Sequence, residues 1–137
     1  MSYLLDTNVL SELRKGERAD PAVSSWFGEL TEEDVFLSVL TLGEIRRGIE
    51  SLRRRDRKSA AALDSWLGRI SEAHLDRVLP VTRSVAEEWG RLSVPDPVPV
   101  VDGLLAATAK IAGLVLVTRN VTDIASTGVA LFNPFAC

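Results

Sequence analysis

The chain has 137 residues, a formal net charge of −3 and a hydrophobic content of 46%. This hydrophobic fraction excludes an intrinsically disordered chain, and the length predicts a single domain over residues 1–137. The negative net charge argues against a protein that coats nucleic acid by bulk charge, but it does not exclude an enzyme that binds nucleic acid locally.

The first part of the chain alternates short apolar strands with helices. Tyr3–Asp6 is predicted to be a buried strand, followed by a helix over about Val9–Arg14. A second helix should begin at Pro21 with Asp20 as its N-cap, because proline is favoured at the first helical position. The apolar segment Val35–Val39 is predicted to be the next strand.

Two longer helices are predicted in the middle of the chain. The first should open at Thr41, and its core face should carry apolar residues at helical spacing: Leu42, Ile45, Ile49 and Leu52. The second should follow the basic segment Arg53–Lys58 and end near His74. Its apolar side is predicted to consist of Leu63, Leu67 and Ile70.

A third strand is predicted at Val78–Val81, and Thr82 is a suitable cap for a helix that ends near Leu92. The segment Val94–Val100 contains three prolines, so we expect a loop there.

The last part of the chain returns to the same alternation. Asp102 is predicted to open a helix that Gly113 ends, and Leu114–Thr118 has the clearest strand pattern in the chain. Leu131 and Phe132 could form a last short strand. Alternating strands and helices favour an α/β fold with a central, mostly parallel β-sheet flanked by helices.

Four acidic residues fall where such a sheet would bring them together. Asp6 ends the first strand, and Asp123 follows the strand Leu114–Thr118. Glu44 and Asp102 are expected in the first turns of helices. Because the carboxyl ends of parallel strands and the following helix N-termini meet at one edge, the four acids could share one pocket.

A pocket of four carboxylates has a specific chemical requirement. The carboxylates repel one another unless they are protonated or share a cation. Oxygen ligands without histidine or cysteine favour Mg²⁺ or Mn²⁺ over zinc. Such an ion polarises a phosphoryl oxygen and makes bound water a usable nucleophile, so the pattern predicts phosphodiester hydrolysis.

Each acid also has a structural interpretation. Glu44 could close a capping box with Thr41. Asp102 could be only an N-cap, and Asp123 could be a turn residue. Asp6 is harder to explain in this way, because a carboxylate that ends a buried apolar run needs partners. The joint pattern favours the shared site.

Four segments contain these acids, and a fifth lies near the end of the sequence: Leu5–Glu12, Ser38–Glu50, Asp102–Ala109, Leu116–Asp123 and Phe132–Phe135. In this order they resemble the PIN-domain nucleases, most closely the VapC/FitB-like toxins of type II toxin–antitoxin pairs. The resemblance implies a PIN fold and the activity of an endoribonuclease that requires Mg²⁺ or Mn²⁺.

The resemblance also implies roles for particular residues. Asp6, Glu44 and Asp102 match the core metal-binding acids, and Asp123 matches a fourth acid that can hold the metal through water. The polar residues that match positions beside these acids are Asn8, Thr118 and Asn120. Ile124 departs from the pattern, since relatives often have an aromatic residue there, and this could loosen local packing.

The resemblance further implies the partners. Relatives in this group form homodimers that cleave RNA, and a cognate VapB-like antitoxin silences them by covering the active site with its C-terminal segment. Complexes of this kind commonly bind their own promoter through the antitoxin, so DNA contact by this chain would be indirect.

A basic cluster follows Glu44 and consists of Arg46, Arg47, Arg53, Arg54, Arg55, Arg57 and Lys58. It could track an RNA backbone into the acidic pocket, with Arg46, Arg47 and Arg53 as possible contacts. It could equally be a solvated helix face with a charged turn.

Other features narrow the setting and the rival functions. The single cysteine, Cys137, excludes an internal disulfide and a cysteine-based metal site. With no signal peptide and no apolar run long enough to span a bilayer, a cytoplasmic protein is expected.

A haloacid-dehalogenase-like phosphatase would need a second aspartate where Asn8 stands. A non-catalytic PIN module that binds RNA or a partner is the main alternative.

Overall fold

The computed structural model describes residues 1–135, so the predictions about Cys137 lie outside the described residues. The described chain contains five β-strands: β1 (Tyr3–Leu5), β2 (Val35–Ser38), β3 (Val78–Leu79), β4 (Val115–Val117) and β5 (Leu131–Phe132). Its α-helices are α1 (Thr7–Leu13), α2 (Pro21–Gly28), α3 (Val39–Arg53), α4 (Arg57–Ala73), α5 (Arg83–Leu92), α6 (Val100–Ala112) and α7 (Val121–Ile124).

The strands form one parallel sheet in the order β3-β2-β1-β4-β5. The central strand β1 places Tyr3 opposite both Val35 and Val115. Because every strand runs in the same direction, all five carboxyl ends meet at one side of the sheet, the carboxyl edge. The predicted α/β class with a central parallel sheet is confirmed.

Apolar side chains cover both faces of the sheet. Leu5 and Val117 belong to one buried cluster, whereas their strand neighbours Leu4 and Leu116 belong to another. Successive residues of a strand point to opposite faces, so the two clusters lie on opposite sides of the sheet. Because helices cover both faces of the sheet, polar side chains can group at the carboxyl edge, where the strands end.

Several predicted helix ends are confirmed, because the residues that cap them act locally. The Asp20 carboxylate accepts hydrogen bonds from the first backbone amides of α2, and Thr82 accepts one from Val85 in α5. Gly113 ends α6 in the left-handed conformation at a φ of 70°, which glycine adopts without strain. The apolar residues Ile45 and Ile49 of α3 are buried, as their spacing predicts.

Three predicted helix starts are wrong by two residues. Helix α1 begins at Thr7, with Asp6 as its N-cap, rather than at Val9. Helix α3 begins at Val39, because Ser38 accepts the Leu40 amide at 3.0 Å and caps the helix before Thr41. Helix α6 begins directly after Pro99 rather than at Asp102.

Helices α3 and α4 are the longest in the described chain, with 15 and 17 residues. Within residues 1–135, no helix combines the length and the apolar character that crossing a bilayer would need.

Candidate active site

The four predicted acids come from four different elements at the carboxyl edge. Asp6 directly follows β1, Glu44 is in α3, Asp102 is in the first turn of α6, and Asp123 is in α7. The pKa of Asp102 is raised first by partial burial and then by the negative charges of Asp6, Asp123 and Glu44. The structure therefore brings the four acids into one electrostatically coupled group, the acid cluster.

Asp6 is the most buried acid of the cluster, with 4% of its surface exposed. One carboxylate oxygen accepts the Thr7 backbone amide and the other accepts the Thr118 hydroxyl, both at 2.7 Å. Burial raises the pKa of Asp6 above its ordinary value, and the nearby charge of Glu44 adds to this, although the two hydrogen bonds oppose the shift. Asp6 thus has the partners that a buried carboxylate requires.

Glu44 has a partner that the sequence did not indicate. Its Oε1 accepts a hydrogen bond of 2.6 Å from the Thr7 hydroxyl, which comes from helix α1. The capping-box interpretation is wrong, because Thr41 is fully buried inside α3 and its hydroxyl has no hydrogen-bond partner in the described chain. Since α3 begins at Val39, Glu44 lies in the second helical turn rather than the first.

The polar residues that follow β1 and β4 join these two segments. Thr118 Oγ1 donates to Asp6 and accepts from the Asn120 backbone amide at 3.0 Å. The Asn8 side chain accepts the Arg119 amide at 3.2 Å and donates a long bond of 3.5 Å to Asp6. Asn8 and Thr118 therefore fix the loop after β4 against the first acid, whereas Asn120 contributes its backbone.

The structural interpretations of the other two acids are also wrong. Pro99 occupies the cap position of α6, so Asp102 is inside the helix and does not cap it. Asp123 is exposed in the short helix α7 rather than in a turn. The neighbouring Ile124, which departs from the resembled pattern, is fully buried in the core.

The acid cluster fits a hard divalent cation by its chemistry. Its donors are all carboxylate oxygens, and the mutual repulsion that raises the pKa of Asp102 is the condition that a cation would relieve. As the side chains stand, however, no three acidic, histidine or cysteine residues within positions 1–135 converge closely enough to hold an ion. Cation binding would therefore require the carboxylates to draw together.

The structure places two of the predicted basic contacts in an ion-pair network. Arg46 and Arg53 both bind Glu50 and Asp64, at 2.8–3.1 Å, and thereby connect α3 to α4. Hydrogen bonds from the two guanidinium groups lower the pKa of Asp64 to about 2, and the bond from Arg46 contributes most. This favours the solvated-face interpretation for both arginines. Arg47 is exposed and forms no ion pair among the described residues.

A groove of about 400 Å³ runs from the acid cluster between α1, α3 and α4. Thr7, Glu44 and the small residue Gly48 line this groove. Its apolar residues are Ile45, Ile49, Leu52, Leu63 and Trp66, and its basic residues are Arg14, Lys15 and Arg55. An apolar groove with basic residues along it is suited to a peptide segment that carries apolar and acidic side chains.

Comparison with known proteins agrees with this architecture. The family model of the PIN domain matches residues 3–127. The chain therefore belongs to the PIN domain family.

Particular relatives extend over nearly the whole chain. Toxin FitB of Neisseria gonorrhoeae is 32% identical over 141 residues, covering 96% of this chain and 97% of that protein. VapC ribonuclease Y4jK of Sinorhizobium fredii is also 32% identical, covering 96% of each. The solved structure of FitAB bound to an IR36 DNA fragment superposes with a TM-score of 0.88 at 30% identity, covering 98% of this chain and 96% of that one.

Proposed function

We propose that this protein is a metal-dependent endoribonuclease and acts as the toxin of a toxin–antitoxin pair. The observation that carries the proposal is the electrostatic coupling of Asp6, Glu44 and Asp102 at the carboxyl edge. Relatives named as a toxin and as a ribonuclease, each 32% identical over 96% of the chain, support the same function.

In this proposal Asp6, Glu44 and Asp102 would hold Mg²⁺ or Mn²⁺, and the exposed Asp123 would be a fourth acid able to hold the ion through water. When bound, the cation supplies Lewis-acid polarisation of the phosphodiester and a more acidic water at neutral pH. The buried Asp6 is held by hydrogen bonds from the Thr7 backbone amide and the Thr118 hydroxyl, which orient its carboxylate.

The remaining polar residues organise the edge around the acids. Asn8, Thr118 and Asn120 hold the loop after β4 in place, and this loop leads into the helix that carries Asp123, whose charge acts on Asp102. The acids by themselves would repel an RNA phosphate, so RNA binding needs cationic groups nearby. Among the predicted basic contacts, Arg47 is the one whose charge is not neutralised by an acid in the described chain.

The proposed partners are a second copy of the chain and a cognate VapB-like antitoxin. The groove beside Glu44 would receive the antitoxin's C-terminal segment, which would silence the enzyme by covering the acid cluster. The likeness to FitAB bound to DNA supports a complex that contacts DNA, and we assign that contact to the antitoxin.

Cleavage of labelled RNA by the purified protein tests this function. We expect cleavage with Mg²⁺ or Mn²⁺, none in chelator, and a loss of at least about 100-fold in Asp6→Asn and in Asp102→Asn. Asp96→Asn is the matched control, because Asp96 is exposed in the proline-rich loop. Tight RNA binding by well-folded protein, without metal-stimulated cleavage, would instead identify a non-catalytic PIN module.

A further inference from the structure

Thr7 forms hydrogen bonds with two members of the acid cluster at once. Its backbone amide donates to Asp6 Oδ1 at 2.7 Å, and its hydroxyl donates to Glu44 Oε1 at 2.6 Å. As the first residue of α1, Thr7 has an amide with no partner inside the helix, so Asp6 can accept it as an N-cap.

The hydroxyl bond restricts a side chain that is otherwise mobile. Glu44 is 37 residues away in sequence and reaches the carboxyl edge from another helix through three rotatable side-chain bonds. With Oε1 held by Thr7, Oε2 accepts no hydrogen bond from any residue in positions 1–135. One oxygen of Glu44 is therefore fixed, and the other accepts no hydrogen bond within the described residues.

We propose that Thr7 is a positioning residue, whose hydroxyl orients Glu44 so that Glu44 and Asp6 present oxygens to the same divalent cation. The inference rests on the proposed function and adds a residue to it. Groups that hydrogen-bond a metal-binding carboxylate fix its orientation, and their removal typically weakens metal binding by about 10- to 100-fold. The rival explanation is that the bond only ties α1 to α3.

Titration calorimetry of Mn²⁺ into the purified full-length chain tests the proposal without measuring catalysis. Thr7→Val keeps the side-chain shape but removes the hydroxyl, and it should weaken Mn²⁺ binding about 10-fold or more. Thr7→Ser keeps the hydroxyl and should bind Mn²⁺ nearly as tightly as the wild type. Thermal unfolding in chelator shows that each variant is folded.

A double-mutant cycle separates positioning from a structural role. If Thr7 acts through Glu44, Thr7→Val should cause no further loss of Mn²⁺ affinity in a Glu44→Gln background. A purely structural role would lower the affinity by the same factor in both backgrounds, and that result would overturn the proposal.

The remaining outcomes are equally decisive. Wild-type Mn²⁺ affinity in Thr7→Val would overturn the role of Thr7 and leave the proposed nuclease intact. Absence of Mn²⁺ binding in the wild type would instead contradict the proposed function itself. If neither Thr7→Val nor Thr7→Ala folds in chelator, Thr7 is structural and the proposal is wrong.

Discussion

The negative charges of Asp6, Asp123 and Glu44 oppose the ionisation of Asp102. Partial burial and these charges raise its pKa above the ordinary value of 3.8, so the folded protein binds this proton more tightly than the unfolded chain does. By linkage, the contribution of this group to stability falls as the pH rises from the unfolded pKa through the raised folded pKa. In the absence of metal, the ionised Asp102 therefore destabilises the fold at neutral pH.

Asp102→Asn should accordingly stabilise the metal-free protein at neutral pH. Because Asp102 is partly exposed, solvent screening limits the expected gain in the free energy of unfolding to less than about 1 kcal/mol. The gain should vanish below the ordinary pKa of 3.8, where the native aspartate is neutral too. Urea denaturation in chelator over a pH series measures the difference, and a less stable Asp102→Asn at neutral pH would contradict the coupling.

At this scale, the sequence allowed the acids to be predicted but not their contacts. Asp6 could be singled out because a carboxylate at the end of an apolar strand needs partners. The hydrogen bond from Thr7 to Glu44 could not be predicted, because it depends on how α1 packs beside α3. A local S/T-x-x-E pattern suggested Thr41 as the partner of Glu44 instead, and tertiary structure overrode that pattern.

At the scale of elements, the start of α6 depends on a glycine beside Asp102. A Cβ added to Gly103 would lie 2.7 Å from Val98 Cγ2 and 2.8 Å from Trp89 Cδ1. Real side chains do not approach so closely, so the helix or its neighbours would have to move. The close packing of α5 against α6 thus sets the position of Asp102.

Gly103→Ala should destabilise the protein by about 1–3 kcal/mol through overpacking, although alanine is the better helix former. RNA cleavage should fall as well, since Asp102 moves with the helix start. Gly68→Ala in α4 is the control, because its added Cβ meets nothing within 4 Å and should be neutral or stabilising. Unchanged stability of Gly103→Ala would show that the contact is relieved at no energetic penalty.

Helix α3 offers a matched pair for testing RNA contacts. Arg46 is neutralised by Glu50 and Asp64, whereas Arg47 forms no ion pair in the described chain. Arg47→Gln should weaken RNA binding in chelator and reduce the slope of log affinity against log salt by roughly one unit. Arg46→Gln should change both less. Equal effects of the two substitutions would show that the ion pairs do not decide which arginine binds RNA.

Helix ends were predictable where one residue determines them. Asp20, Thr82 and Gly113 each act on the neighbouring backbone, and all three predictions are confirmed. The start of α3 could not be predicted in this way, because Ser38 and Thr41 are both suitable N-caps. Only the point at which β2 ends selects Ser38. Competing local signals are resolved by the strand that precedes the helix.

At the scale of the whole molecule, the order of the strands creates the site. Placing β1 between β2 and β4 brings Thr118 within hydrogen-bond distance of Asp6, 112 residues away in sequence. Alternation of strands and helices predicted a parallel sheet, and therefore a common carboxyl edge. Periodicity could not predict which strands are neighbours, because strand order depends on contacts distant in sequence.

The central claim is that the acids at the carboxyl edge hold divalent metal, and anomalous diffraction from crystals containing Mn²⁺ tests it most directly. We expect an anomalous peak bounded by the carboxylates of Asp6, Glu44 and Asp102, and a weaker peak or none in Asp102→Asn crystals. Mn²⁺ bound only elsewhere, or no bound Mn²⁺ in wild-type crystals whose acid cluster is open to solvent, would contradict the account.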